Sequence, residues 1–178
     1  MTKTFTALVC MVIALAVHIF SFAGPLPVPH NEDPCTCGWS ISPVFGYLSS
    51  GFTPDIPGND VLVWGVKVSH RNTGTMWVDL EVTKFEGSGN TFLINARANY
   101  PLFSWKQFIP YASTGAGFIA TGSGVKFDFL FGSGFLFEIT DRFSVEEAYI
   151  IHYSPSQAFT DAEGNPSNSL ETSIHFWF

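Results

Sequence analysis

The alternating segments of this chain have lengths that permit few folds. After residue 24, eight segments of ten to fifteen residues alternate apolar and polar side chains, as strands with two different faces do. No apolar run of 18 residues follows the first 23 residues, which excludes membrane-spanning helices there. A strand crosses a bilayer with about 9–11 tilted residues. The sequence therefore predicts an all-β fold, an eight-stranded antiparallel transmembrane β-barrel.

The predicted barrel occupies residues 39–178. One predicted strand, 61–70, has Val63 and Lys67 on one face and Trp64 on the other. Another, 125–139, presents an apolar stripe of phenylalanines opposite Asp128. The full set of predicted strands is 39–48, 61–70, 76–85, 91–100, 108–120, 125–139, 143–154 and 169–178.

Composition agrees with a membrane barrel and excludes other classes. Charged residues make up 13% of the chain, against about 25% in soluble domains, while aromatic residues make up 16%. Without Lys3, 7 of the 8 basic residues remain against 15 acidic ones, a net charge of −8. Such an acidic chain is not expected to bind nucleic acid.

The first 23 residues are predicted to be a cleaved signal peptide. Lys3 precedes a long apolar run, and Ser21-Phe22-Ala23 fits the small-x-small cleavage rule. An uncleaved anchor helix is the alternative. Residues 24–38 are predicted to be a flexible segment. Its Cys35 and Cys37 are left unassigned, because a disulfide between them would close a very small ring and two thiols without nearby partners do not complete a metal site. No metal site and no cofactor are predicted.

The connections and the last strand predict the orientation and the location. Thr140-Asp141-Arg142 is a tight turn, whereas residues 155–168 form a long polar connection of the kind that lies outside the cell. Alternating apolar residues that end on Phe178 resemble the C-terminal signal of outer-membrane barrels. That resemblance implies the cell outer membrane as location and the barrel-assembly machinery as partner. A soluble periplasmic barrel is the alternative.

One group of residues has the composition of a hydrolase site. His152 and Ser154 are two residues apart in a strand and therefore share a face. If Ser154 faces Ser169 across the last hairpin, His152 faces Glu171, because opposed residues share a face. This register predicts a nucleophile, a base and an acid in contact.

The same residues resemble a known family. Phe108-Ile109-Pro110-Tyr111 through Gly115-Ala116-Gly117, the Phe- and Gly-rich segment 127–137, His152-Tyr153-Ser154 and Asn165-Pro166 are similar to the outer-membrane lipid A 3-O-deacylases. This resemblance implies an eight-stranded barrel that hydrolyses the ester-linked 3-position acyl chain of lipid A in lipopolysaccharide. It implies Ser154 as nucleophile, His152 as base, a glutamate at the start of the last strand as acid, and Asn165 as an oxyanion-binding residue.

Two departures keep alternatives open. Pro155 stands where the family has Asn, and the motif after the loop is one residue shorter. The shortening brings Asn168 near the acid position, while the predicted register favours Glu171. A barrel that kept the fold without catalysis, as a structural, adhesive or small-solute protein, is the rival function. Both a monomer and a homodimer are compatible with the sequence.

Overall fold

A computed structural model describes residues 38–49, 61–72, 76–86, 91–121, 124–153 and 167–178. These residues form eight strands, and they contain no helix long and apolar enough to span a membrane. The strands are β1 (Gly38–Ser49), β2 (Val61–Asn72), β3 (Met76–Phe85), β4 (Phe92–Pro101), β5 (Phe108–Thr121), β6 (Gly124–Thr140), β7 (Phe143–Tyr153) and β8 (Ser167–Trp177).

The eight strands close into one barrel. Each strand pairs antiparallel with the next, and β1 pairs with β8. Every predicted strand is confirmed, with ends that differ by at most two residues. Gly38 was predicted to end the flexible segment and instead begins β1, because its pairing with Arg71 of β2 extends the ladder. The predicted signal peptide, Cys35 and Cys37 lie outside the described residues.

The two ends of the barrel differ in their connections. The start of β1 and the end of β8 lie together, with Ser40 opposite Trp177. At that end residues 141–142 form the tight turn that the sequence predicts between β6 and β7. Residues 50–60 and 154–166 connect strands at the other end. We call the lumen at that other end, lined by Leu48, Val61, His152 and Ser167, the outer mouth.

The wall of the barrel is apolar outside and largely polar inside. Along β2 the side chains of Lys67 and Ser69 are buried in the lumen, whereas Trp64 and Val66 are about half exposed on the outer surface. Soluble proteins have the opposite arrangement, with polar side chains outside. Apolar side chains on the outer surface suit a lipid environment. Exposed outward residues on the other strands include Ile41, Phe45, Val82, Phe131, Phe135, Tyr149, Leu170 and Phe176.

The phenylalanine stripe predicted on 125–139 is confirmed on β6. Phe129, Phe131 and Phe137 face outward, while Asp128 is buried inside. The rings pack edge to face near the outer mouth, with 4.8 Å between the centroids of Phe127 and Phe129. The period of two along the strand therefore separates the lipid-facing side chains from those in the lumen.

Gly65 marks a point where two strands approach too closely for a side chain. A Cβ atom there would lie 2.1 Å from the carbonyl oxygen of Val82 and 2.7 Å from the Cα atom of Thr83. Both are backbone atoms of β3, so a side chain at Gly65 could avoid the clash only if β2 and β3 moved apart.

We expect Gly65→Ala to lower the free energy of unfolding by about 1–3 kcal/mol, the usual effect of overpacking. Urea unfolding of the folded barrel in detergent measures this change. Val66→Ala, at the neighbouring outward position, is the control and should change stability by less than about 0.5 kcal/mol. Equal midpoints for Gly65→Ala and the native protein would contradict the close approach.

Candidate active site at the outer mouth

Three adjacent strands place a carboxylate, an imidazole and a hydroxyl in the lumen near the outer mouth. Asp128 lies on β6, His152 on β7 and Ser169 on β8. Each occupies an inward position of its strand, and their exposed fractions are 0%, 1% and 2%. Because β7 pairs with both β6 and β8, the imidazole lies between the other two groups.

His152 makes a hydrogen bond through each ring nitrogen. Its Nδ1 lies 2.9 Å from Oδ2 of Asp128, and its Nε2 lies 2.9 Å from Oγ of Ser169. The three groups therefore lie in the order carboxylate, imidazole, hydroxyl. The same order of groups occurs in serine hydrolases, where the acid orients the base and the base receives the hydroxyl proton.

The hydrogen-bonded chain continues into the middle of the lumen. Ser169 donates to Oε1 of Glu171 at 3.1 Å, and Arg97 donates to the other oxygen of that carboxylate at 2.8 Å. A second donor of Arg97 reaches Glu81 at 2.6 Å. Arg97 therefore lies between two buried carboxylates and neutralises part of their charge.

The register predicted for the last hairpin is wrong. His152 pairs with Ser167 instead of Glu171, and Ser169 pairs with Ile150. The shift is four residues, an even number, so the inward and outward faces stay as predicted. The physical reason is closure of the barrel. β8 pairs with β1 as well as with β7, and both ladders together fix its position.

The predictions for the four other site residues differ in their outcome. Glu171 faces inward as expected, but it contacts Ser169 and Arg97 and not the imidazole. Asn168, the alternative acid position, lies on the opposite face of β8 from these groups, so it does not share their side of the wall. Ser154 and Asn165 lie outside the described residues, and their roles stay predictions.

Asp128 was not predicted as a partner of His152. The sequence pattern placed it only opposite the phenylalanine stripe. A charged residue on the inward face of a membrane strand was the available signal, because such a residue needs a polar partner in the lumen. Arg97 gave the same signal on β4 and was also missed.

A second polar cluster fills the lumen toward the end that carries the termini. Glu146 accepts hydrogen bonds there from Lys67 and Tyr111. His175 contacts the same carboxylate at 2.8 Å and Ser40 at 3.0 Å. Within the described ranges, no three His, Cys, Asp or Glu side chains are grouped to hold a metal ion.

Much of the remaining wall of the outer mouth is apolar. Six buried side chains of β1 to β5 form one cluster near the outer ends of their strands. We call it the apolar cluster, and its members are Leu48, Val61, Val63, Phe85, Leu93 and Ile119. Leu48 of this cluster lies directly opposite Ser169 in the β1–β8 ladder, so the apolar cluster borders the polar chain of β6 to β8.

Comparisons with known proteins identify the fold. No protein-family model matches the chain, and a search of curated proteins finds no match. The crystal structure of Neisserial surface protein A is similar with a TM-score of 0.57 and 13% identity, over 79% of this chain and 96% of that one. The N-terminal β-barrel domain of Pseudomonas aeruginosa OprF is similar with a TM-score of 0.53 and 14% identity, over 77% of this chain and 97% of that domain.

A de novo designed transmembrane β-barrel is similar with a TM-score of 0.50 and 12% identity, over 84% of this chain and all of the design. Identities this low show the fold alone. Together with the apolar outer wall and the polar lumen, they identify an eight-stranded transmembrane β-barrel of the outer-membrane type.

Proposed function

We propose that this barrel is an outer-membrane serine esterase that hydrolyses the ester-linked acyl chain at the 3-position of lipid A. The observation that carries the proposal is the imidazole of His152, held between a carboxylate and a hydroxyl at the outer mouth. The similarity of residues 108–117, 127–137 and 152–154 to lipid A 3-O-deacylases supplies the substrate class.

The reaction needs a base, a hydroxyl and an orienting acid. His152 is the base in this proposal, since it takes the hydroxyl proton and returns it to the leaving alcohol. Two serines are candidates for the nucleophile: Ser154 by the sequence pattern and Ser169 by its hydrogen bond to the imidazole. Asn165 remains the sequence-based candidate for binding the oxyanion.

The apolar cluster supports an acyl ester as the substrate class. It lies at the same end of the lumen as His152 and Ser169. A fatty-acyl chain loses unfavourable contact with water when it lies against apolar side chains, at about 0.8 kcal/mol per buried methylene. A polar chain and an apolar cluster side by side match the two parts of such an ester.

Burial decides the route that a substrate must take. His152 and Ser169 have exposed fractions of 1% and 2% and face the lumen, so the lipid-facing surface of the barrel does not give access to them. An ester has to enter at the outer mouth. Lipid A lies in the leaflet at that end when both termini are periplasmic.

Assembly by the barrel-assembly machinery is part of the same proposal. Phe176 and Phe178 are exposed on the outer face at the end of the chain, and Ile174 shares this face. These positions match the alternating aromatic ending on which the sequence prediction rests. Removal of Phe178 is the direct test, with membrane assembly of the barrel as the readout.

Mass spectrometry of lipid A tests the function. We expect cells that make the native protein to contain lipid A lacking one hydroxyacyl chain. Cells with the Ser154→Ala/Ser169→Ala double variant, or with no barrel, should keep the complete lipid. Heat-modifiable gel mobility verifies that the variant folds. Unchanged lipid A in cells that contain folded native barrel would overturn the esterase.

A barrel without catalysis is the second candidate. The observation that favours it is the continuity of the polar chain, in which Ser169 and Glu171 join Arg97 and Glu81 in one buried network. Satisfied buried polar groups rigidify a protein interior without any chemistry. The lipid A measurement separates the two candidates, because a non-catalytic barrel would fold in the membrane and leave lipid A unchanged.

A further inference from the structure

Asp128, His152 and Ser169 follow one another through two hydrogen bonds of 2.9 Å. From this order we infer that Ser169 is the nucleophile and that Asp128 is the acid that positions the base. The inference rests on the proposed esterase function and changes two of its three roles. The sequence pattern assigns those roles to Ser154 and Glu171.

The contact of Asp128 with Nδ1 determines which nitrogen acts as the base. A carboxylate only accepts hydrogen bonds, so Nδ1 carries the hydrogen that faces Asp128. A neutral imidazole protonated on Nδ1 has its lone pair on Nε2. The hydroxyl at Nε2 belongs to Ser169. The basic atom therefore faces β8.

Glu171 accepts its hydrogen bond from the hydroxyl of Ser169, whereas Asp128 bonds the imidazole. Ser169 is 3.1 Å from Oε1 of Glu171, while Arg97 holds the other oxygen of the carboxylate at 2.8 Å. The hydroxyl thus has two acceptors for one proton, Nε2 and Glu171. Glu171 keeps the side chain of Ser169 in place, and Asp128, which is hydrogen-bonded to Nδ1, orients the base.

The chemistry balances with these residues and water. Oγ of Ser169 bonds to the ester carbonyl carbon, and its proton passes to Nε2 of His152. The bond between that carbon and the alcohol oxygen then breaks, and the alcohol leaves with the proton from His152. Water attacks the acyl-serine by the same transfers. The products are the free fatty acid and the original hydroxyl.

Covalent labelling of the full-length folded barrel in detergent tests the nucleophile. A short-alkyl fluorophosphonate is the probe, because Ser169 is buried. The serine oxygen bonds to phosphorus, fluoride leaves, and the hydroxyl proton passes to the base. Peptide mass spectrometry is expected to find the phosphorus on Ser169. Phosphorus on Ser154 would overturn the assignment.

Kinetics with a soluble acyl ester test the positioning acid. We expect Asp128→Asn to lower kcat at least about a hundredfold with KM unchanged, and Asp128→Glu to restore part of the loss. Glu171→Gln, which alters the contact with the nucleophile and not the hydrogen bond to Nδ1, is the comparison and should lower kcat less than Asp128→Asn does. A larger loss from Glu171→Gln than from Asp128→Asn would return the acid role to Glu171.

The assignment and the esterase function fail in different ways. Unmodified lipid A together with unlabelled serines would refute both. Deacylated lipid A in cells with folded Ser169→Ala, and complete lipid A in cells with folded Ser154→Ala, would refute only the assignment. The reverse pattern supports it, even where the probe does not reach the site.

Discussion

Arg97→Met is expected to lower the free energy of unfolding by about 3–5 kcal/mol, because it leaves buried charges without their partner. Arg97 donates to Glu81 at 2.6 Å and to Glu171 at 2.8 Å. Both carboxylates have exposed fractions of 3% or less, so water does not replace the lost cation. Urea unfolding in detergent, followed by heat-modifiable mobility, measures the change.

A triple variant separates the lost charge from the lost side chain. Adding Glu81→Gln and Glu171→Gln to Arg97→Met removes the two buried charges and should recover a large part of the stability. Neutral amides still hydrogen-bond but carry no net charge. If Arg97→Met alone changes stability by less than about 1 kcal/mol, the ion pairs do not hold the middle of the lumen together.

His152→Gln is expected to abolish ester hydrolysis, with a loss in kcat of about a thousandfold or more. Glutamine is polar and can still hydrogen-bond to Asp128 and Ser169, but it does not take up a proton from a hydroxyl. The measurement is the rate of acyl release by the folded barrel, alongside the lipid A profile of the cells.

His70→Gln is the matched control for this substitution. His70 lies on β2, where its ring packs against Trp39 with 4.5 Å between centroids, and it has no part in the proposed reaction. We expect its variant to keep the native rate. Retention of more than a tenth of the rate by His152→Gln would show that the imidazole is not the base.

The strands could be predicted from the sequence because their two faces meet different surroundings. Along β2, Trp64 faces lipid and Lys67 faces the lumen, so the period of two is visible in the residues themselves. On β4, Ala96 and Ala98 are outward residues that are nevertheless buried. Exposure therefore does not distinguish the two faces of β4 clearly, but its length of ten residues still indicates a strand that crosses the membrane.

The contacts of the site could not be predicted from the last hairpin alone. The alternation gave the correct face for Glu171 but not its partner, since a shift of four residues keeps every face and changes every pair. Closure of β8 onto β1 fixes the register, and that constraint involves strands far apart in the sequence. Asp128 likewise meets His152 through the β6–β7 ladder, 24 residues away.

The outer face of β6, interrupted by Ser133, carries apolar side chains over a longer span than the usual apolar band of such barrels. It runs from Val125 to Ile139, which at a tilt of about 40° and a rise of about 3.3 Å per residue spans roughly 35 Å in height. The usual apolar band of such barrels is about 25 Å tall. We therefore expect lipids along this strand to stretch over the excess, a hydrophobic mismatch that favours neighbours with longer acyl chains.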